Sequence, residues 1–248
     1  MTKTSSNATG TLLYITELRR RLLYCFLVLA LIFASLFYFT NDIYTLLASP
    51  LLRHLPKGQG LIAINITAPF FAPFNLTLIA AFFLTMPFFL YQLWAFVAPA
   101  LYQHERARAK LLLWTSIFLF YAGIAFAYFI LFPVLFGFLT RVAPRGVQVS
   151  PDITQYLNFS LKFFCIFGIF FEVPVITVIL VLTGIVSCEK LIKFRLYAIG
   201  GAFILSLLFA PPDIISQIIV ATPLWLLFEI GIMLARFFAR KNTHDSQK

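Results

Sequence analysis

Charge is what this sequence has least of. Only 11% of its 248 residues are Asp, Glu, Lys or Arg, against about a quarter in a soluble domain. Acids are the scarcer sign, nine against 19 basic residues, for a net charge of +10. There are only three cysteines, which cannot all pair with one another, and Cys25 and Cys165 fall inside apolar runs. They read as packing residues, with no disulfide framework and no metal-ligand spacing. The three histidines, His54, His104 and His244, lie outside the apolar runs, which excludes a bis-histidine haem anchor. No GxxxxGK[ST], HExxH or GxSxG pattern occurs. No catalytic residue, metal or cofactor is expected, and an enzyme is disfavoured.

What fills the chain instead is apolar: 61% hydrophobic and 18% aromatic residues. That composition belongs to a protein whose solvent is lipid. Six apolar segments emerge, at about 22–39, 76–96, 111–135, 157–182, 196–210 and 214–235, forming one all-α membrane domain over residues 1–248. The first is too long for a signal-peptide core and no small-residue cleavage site follows it, so it is expected to stay as a helix. The fifth spans about 22 Å as a helix, short of a hydrocarbon core near 30 Å, and predicts local thinning of the bilayer. Pro211-Pro212 ends it sharply and makes the last two segments a hairpin. Asn41 to Asn75, long and Pro-rich, predicts a cap of short helices, with Val142 to Asp152 as a second cap element. Both chain ends read as disordered.

Basic residues fix the expected orientation. Lys3, Arg19, Arg20, Arg21, Arg106, Arg108, Lys110, Lys190, Lys193, Arg195, Arg236, Arg240, Lys241 and Lys248 fall on one side, and Arg53, Lys57, Arg141 and Arg145 on the other: fourteen against four. Both termini are therefore expected in the cytoplasm. These short clusters between apolar spans suit topology and anionic headgroups better than nucleic acid. No repeat relates the halves, which counts against an inverted-repeat transporter.

Polar residues in unfavourable places are the candidate chemistry. Glu172 lies deep in the fourth segment, where insertion costs about 2.5–3.5 kcal/mol, so it should face protein or a wet cavity. Pro174, two residues on, should kink that helix. Lys162, ten residues before Glu172, can snorkel. Glu17, beside Arg19, Arg20 and Arg21, is either an interfacial salt bridge or a carboxylate that binds a cationic partner. Glu105 lies on the same expected side. Glu229 should reach the headgroups. Asp213 reads as an N-cap or first-turn acid, and Gln217 can bond a neighbouring helix.

The order of motifs then resembles the TatC family of twin-arginine protein translocases over nearly the whole chain, from Glu17 to about Phe237. The matching stretches are Glu17-Leu18-Arg19, Ala48-Ser49-Pro50-Leu51, Ala68-Pro69-Phe70-Phe71, the run from Tyr91 to Tyr102 with His104-Glu105, Phe171-Glu172-Val173-Pro174, and Pro211-Pro212-Asp213 with Gln217. The resemblance implies a glove-shaped six-helix receptor in the bacterial inner membrane that recognises paired-arginine signal peptides and exports folded proteins on the proton gradient. It assigns signal binding to Glu17 and Glu105, with Arg19 and Phe96 on the same surface, and places Glu172 in a concave membrane cavity. It implies TatB- and TatA-type single-span partners around Gln217, a homo-oligomeric complex, and outer-side motif roles for Pro50 and Asp213. Tyr14 departs from the family, which usually has histidine there. Read from residues alone, a small-solute secondary transporter and the anchor subunit of another complex stay open.

Overall fold

Lipid offers backbone groups no partner, so an apolar chain satisfies its own N–H and C=O groups by becoming helix. The computed structural model describes residues 3–52, 62–64, 66–101, 106–142, 152–210 and 212–245, and among them it is helical almost throughout. The helices are α1 (Lys3–Leu36), α2 (Thr40–Leu52), α3 (Ala68–Leu101), α4 (Arg106–Phe126), α5 (Phe132–Val142), α6 (Ile153–Phe170), α7 (Val173–Leu182), α8 (Cys188–Lys193), α9 (Arg195–Phe209) and α10 (Ile214–Asp245). A 3₁₀ turn, Phe37–Phe39, joins α1 to α2, and one π turn, Ala127–Leu131, joins α4 to α5.

Five stretches are long and apolar enough to cross a bilayer: Thr16–Leu47, Phe70–Phe96, Lys110–Leu139, Ile153–Leu182 and Ile214–Phe237. The remaining segment is the 15-residue α9, as short as its sequence suggests. Helices overrun the apolar segments at both ends, and the backbone is helical from Lys3 and as far as Asp245, where disorder was expected. A helix nucleated inside the apolar span extends outward with one new hydrogen bond per residue fixed, so growth is far easier than initiation.

Contacts group the chain into two compact units, 1–44 with 70–113, and 45–69 with 114–248. In the first, α1 lies along α3. Phe33 meets Phe74 edge-on with centroids 5.3 Å apart, the hydroxyls of Thr40 and Thr77 are 2.8 Å apart, and Arg21 bonds Gln92. The second unit is held by aromatic packing. Phe132 stacks on Phe164 at 5.2 Å, Phe126 touches both Phe167 and Phe171, and Phe163 meets Phe209. Lipid gives apolar side chains no reason to leave it, so helices associate through close fit and small residues. Gly123 is such a point: a Cβ there would lie 2.4 Å from the Phe167 carbonyl oxygen.

The first expected cap exists in part; the second, Val142 to Asp152, lies outside the described residues except for its two end residues. α2 is a short helix at the start of the first connection. Ala68-Pro69 opens α3, where a missing N–H costs nothing. The extended residues around Ile62 pair with the head of α6. Ile153 N–H donates to the Ile62 carbonyl (2.9 Å), and the Asp152 carboxylate accepts from Ile64 N–H (3.0 Å) and Gln155 N–H (2.9 Å). Asp152 is thus both the N-cap of α6 and the clasp of the first connection. The donors, Ile64 first and then Gln155, hold its carboxyl below the usual carboxylate range.

Candidate functional site

Two places collect the polar residues singled out above, one in each unit. In the first unit, α1 presents Leu18, Arg21, Leu22 and Cys25, and α3 presents Phe89, Gln92, Leu93 and Phe96. Each set has the 0, 3, 4, 7 spacing of one helix face, and together they line a small, open groove of about 60 Å³. Its walls are apolar except for Arg21 and Gln92.

Arg21 organises this groove. Its Nε and Nη2 both donate to Oε1 of Glu17, at 3.0 and 2.6 Å, while Nη1 donates to Oε1 of Gln92 at 2.9 Å. Glu17 and Arg21 are one helical turn apart, the spacing at which opposite charges meet on a helix surface. Both bonds fall on one carboxylate oxygen, and among the described residues none falls on Oε2. Glu17 is 38% exposed and Arg21 21%, so the pair sits at the exposed edge of an apolar wall.

Phe96 lines the same groove as Arg21. Arg19 is exposed and lies about 200° round α1 from Glu17, away from the groove. Arg21 and Gln92 were not singled out from sequence. The Glu17/Arg21 spacing was visible, but the Gln92 partner, 71 residues away, was not. Glu105 lies outside the described residues. The Pro50 backbone is in α2, and its side chain is outside the described set.

The second place centres on Glu172. The fourth segment is broken rather than gently kinked: α6 ends at Phe170, Phe171 and Glu172 form a turn, and α7 starts with Pro174 in its first turn. The Glu172 N–H donates to the Ile169 carbonyl (3.0 Å), a tighter bond than the α-helical one. Pro174 has no N–H to continue α6, which is why the helix restarts here. The Glu172 side chain makes no capping bond. Its Oε2 accepts from the Ser116 hydroxyl on α4 at 2.7 Å, and its Oε1 is buried with no hydrogen-bond partner among the described residues. Ser116 carried no sequence signal of its own. Lys162 is exposed on α6 and contacts none of these groups.

The α9–α10 hairpin completes the set. Asp213 caps α10, its Oδ2 accepting from Ser216 N–H at 2.8 Å. Gln217, one position on, is half-buried and makes no side-chain bond among the described residues. Glu229 pairs across the hairpin. It is 17% exposed and accepts from Nη2 of Arg195 at 2.8 Å, because an inward-facing carboxylate finds a cation closer than water.

Similarity to known proteins agrees with this architecture. A family model described as Sec-independent protein translocase protein (TatC) matches residues 14–223. The TatC of Haemophilus influenzae is 48% identical over 235 residues, covering 95% of this chain and 92% of its own. The TatC of Escherichia coli is 48% identical over 234 residues, covering 94% and 91%. A crystal structure of the twin-arginine translocase receptor TatC matches with a TM-score of 0.71 at 36% identity, over 90% of this chain and 98% of that one. A second, in DDM, matches at 0.74 and 35%, over 90% and 99%. With family model, curated relatives and solved structures in agreement over nearly its whole length, the chain belongs to the TatC family: it is a subunit of the Sec-independent protein translocase and not an enzyme.

Proposed function

We propose that this chain is the signal-peptide receptor of a twin-arginine translocase, with the α1–α3 groove as part of the docking surface. The observation that carries this reading is the Glu17 carboxylate, with one oxygen held by Arg21 and the other unbonded among the described residues, at the rim of an apolar groove ending at Phe96. A leader with paired guanidinium groups followed by apolar residues has the complementary chemistry: charge-assisted bonds to the carboxylate, then burial along the wall. Glu105 supplies a second carboxylate on the same side, while Arg19, exposed on the far face of α1, acts outside the groove itself. Two solved relatives are described as twin-arginine translocase receptors, which supports the assignment.

The rest of the reading follows from charge and span. Fourteen basic residues against four put both termini in the cytoplasm of a bacterial inner membrane, with α9 as a short sixth crossing that thins the bilayer. Glu172 serves a polar cavity within the membrane. TatB- and TatA-type single-span helices dock on α9 and α10 around Gln217, whose amide has hydrogen-bonding capacity to spare. Copies of the chain assemble into one receptor complex, and the proton gradient drives export of folded cargo.

The test is photocrosslinking in native membranes, with a crosslinkable residue at Leu93 and a labelled signal peptide. Lysine keeps the charge but not the planar fork of donors. Replacing both arginines of the peptide by lysines should therefore reduce labelling about tenfold. Equal labelling of the two peptides would overturn the assignment of this groove.

A further inference from the structure

Pro50 belongs to a motif that the groove and the carboxylates leave unexplained. It lies in the last turn of α2, Thr40–Leu52. A proline nitrogen carries no hydrogen, so the carbonyl four residues earlier, on Leu46, loses its helical donor. A bare carbonyl near lipid is costly. This one is not bare: the Tyr128 hydroxyl donates to it at 2.6 Å. A phenol has a single hydrogen, so the 2.9 Å contact between Ser49 Oγ and Tyr128 Oη is donated by Ser49. Ser49 thereby orients the phenol that serves Leu46.

Tyr128 reaches this position from the π turn Ala127–Leu131, closed by Phe132 N–H donating to the Ala127 carbonyl. Pro133 follows at once. Its ring would crowd the Phe129 carbonyl in a regular helix, and widening the preceding turn relieves that crowding. A second phenol, Tyr156 on α6, donates to the neighbouring Leu47 carbonyl at 2.6 Å. Leu47 differs from Leu46 in one respect: residue 51, four positions on, is a leucine and has its N–H.

We propose that Pro50 and Tyr128 work as one device: the proline strips the Leu46 carbonyl of its helical partner, and Tyr128 is the positioning residue that takes it up, fastening the end of α2 to the α4–α5 helix. The contact is specific because α2 offers a carbonyl that nothing within its own helix can claim. The device does not depend on what the groove binds.

Hydrogen exchange on the full chain in detergent tests it, comparing the backbone of residues 43–52 with that of α9 as an internal reference. Tyr128→Phe should speed exchange in 43–52 by roughly tenfold, the effect of leaving one backbone acceptor without a donor, and leave α9 unchanged. In a Pro50→Ala background, where residue 50 regains an N–H for Leu46, the same Tyr128→Phe change should alter exchange by less than about twofold. Tyr156→Phe should act equally in both backgrounds, because Leu47 has an i+4 donor either way. If Tyr128→Phe prevents accumulation of the protein, Ser49→Ala replaces it, with a smaller acceleration that Pro50→Ala again abolishes. Equal acceleration in both backgrounds, or none in either, would overturn the proposal.

Discussion

Glu17→Gln changes one charge and almost no shape, and so separates recognition from folding. The amide keeps an oxygen where Arg21 Nε and Nη2 now bind at 3.0 and 2.6 Å, so those bonds persist as weaker charged-to-neutral ones. The acceptor is 38% exposed, where an ion pair contributes about 0–1 kcal/mol. The melting temperature should therefore fall by no more than roughly 2–4 °C. Binding is affected more strongly. A guanidinium on the other carboxylate position loses a charge-assisted bond of about 1.5–3 kcal/mol, or roughly ten- to hundredfold in Kd. Fluorescence anisotropy of a labelled paired-arginine peptide on the solubilised protein, at about 0.1 M salt where the screening length is near 10 Å, measures it directly. Affinity retained within twofold, with folding intact, would refute the role given to Glu17.

Three further outcomes follow from the geometry. Ser116→Ala removes the only hydrogen-bond donor on the Glu172 carboxylate among the described residues and should cost about 1–3 kcal/mol in thermal unfolding, whereas Ser116→Thr, which keeps the hydroxyl, should cost less. Gly123→Ala places a Cβ 2.4 Å from the Phe167 carbonyl oxygen and must push α4 from α6, for a loss of about 1–3 kcal/mol; Gly200→Ala, with open space around it, should be neutral or stabilising in the same melts. The Asp152 carboxyl is held below its ordinary value by its backbone donors, so its stabilisation is complete above the usual carboxylate range and is lost as pH falls through the lower folded value. Exchange protection at the head of α6 should drop on acidification in the native chain, and Asp152→Ala should already lack that protection at neutral pH.

Legibility differed by type of residue. Local devices could be read directly. Asp213 caps α10 because a short carboxylate ahead of an apolar run has N–H groups within reach, and Pro174 breaks the fourth segment because it cannot donate to the preceding turn. The short α9 follows from its bounding proline pair and its count of apolar residues. The Glu229 partner was not legible because position along a helix says nothing of direction round it, and Arg195 lies 34 residues away. Helix lengths were underestimated for a related reason: hydropathy marks the depth of lipid, and hydrogen bonding continues beyond it.

Residue order alone determined that the chain would be helical, how many apolar segments it holds and where they bend. These follow from the length of lipid to be crossed and from backbone groups that must bond within their own segment. Tertiary structure alone decided which polar side chain meets which: Arg21 with Gln92, Ser116 with Glu172, Tyr128 with the carbonyl that Pro50 leaves open. Those partners lie 56 to 82 residues apart. Their meeting depends on the rotation and depth at which helices pack, which close fit between small and aromatic side chains sets and which no local pattern records.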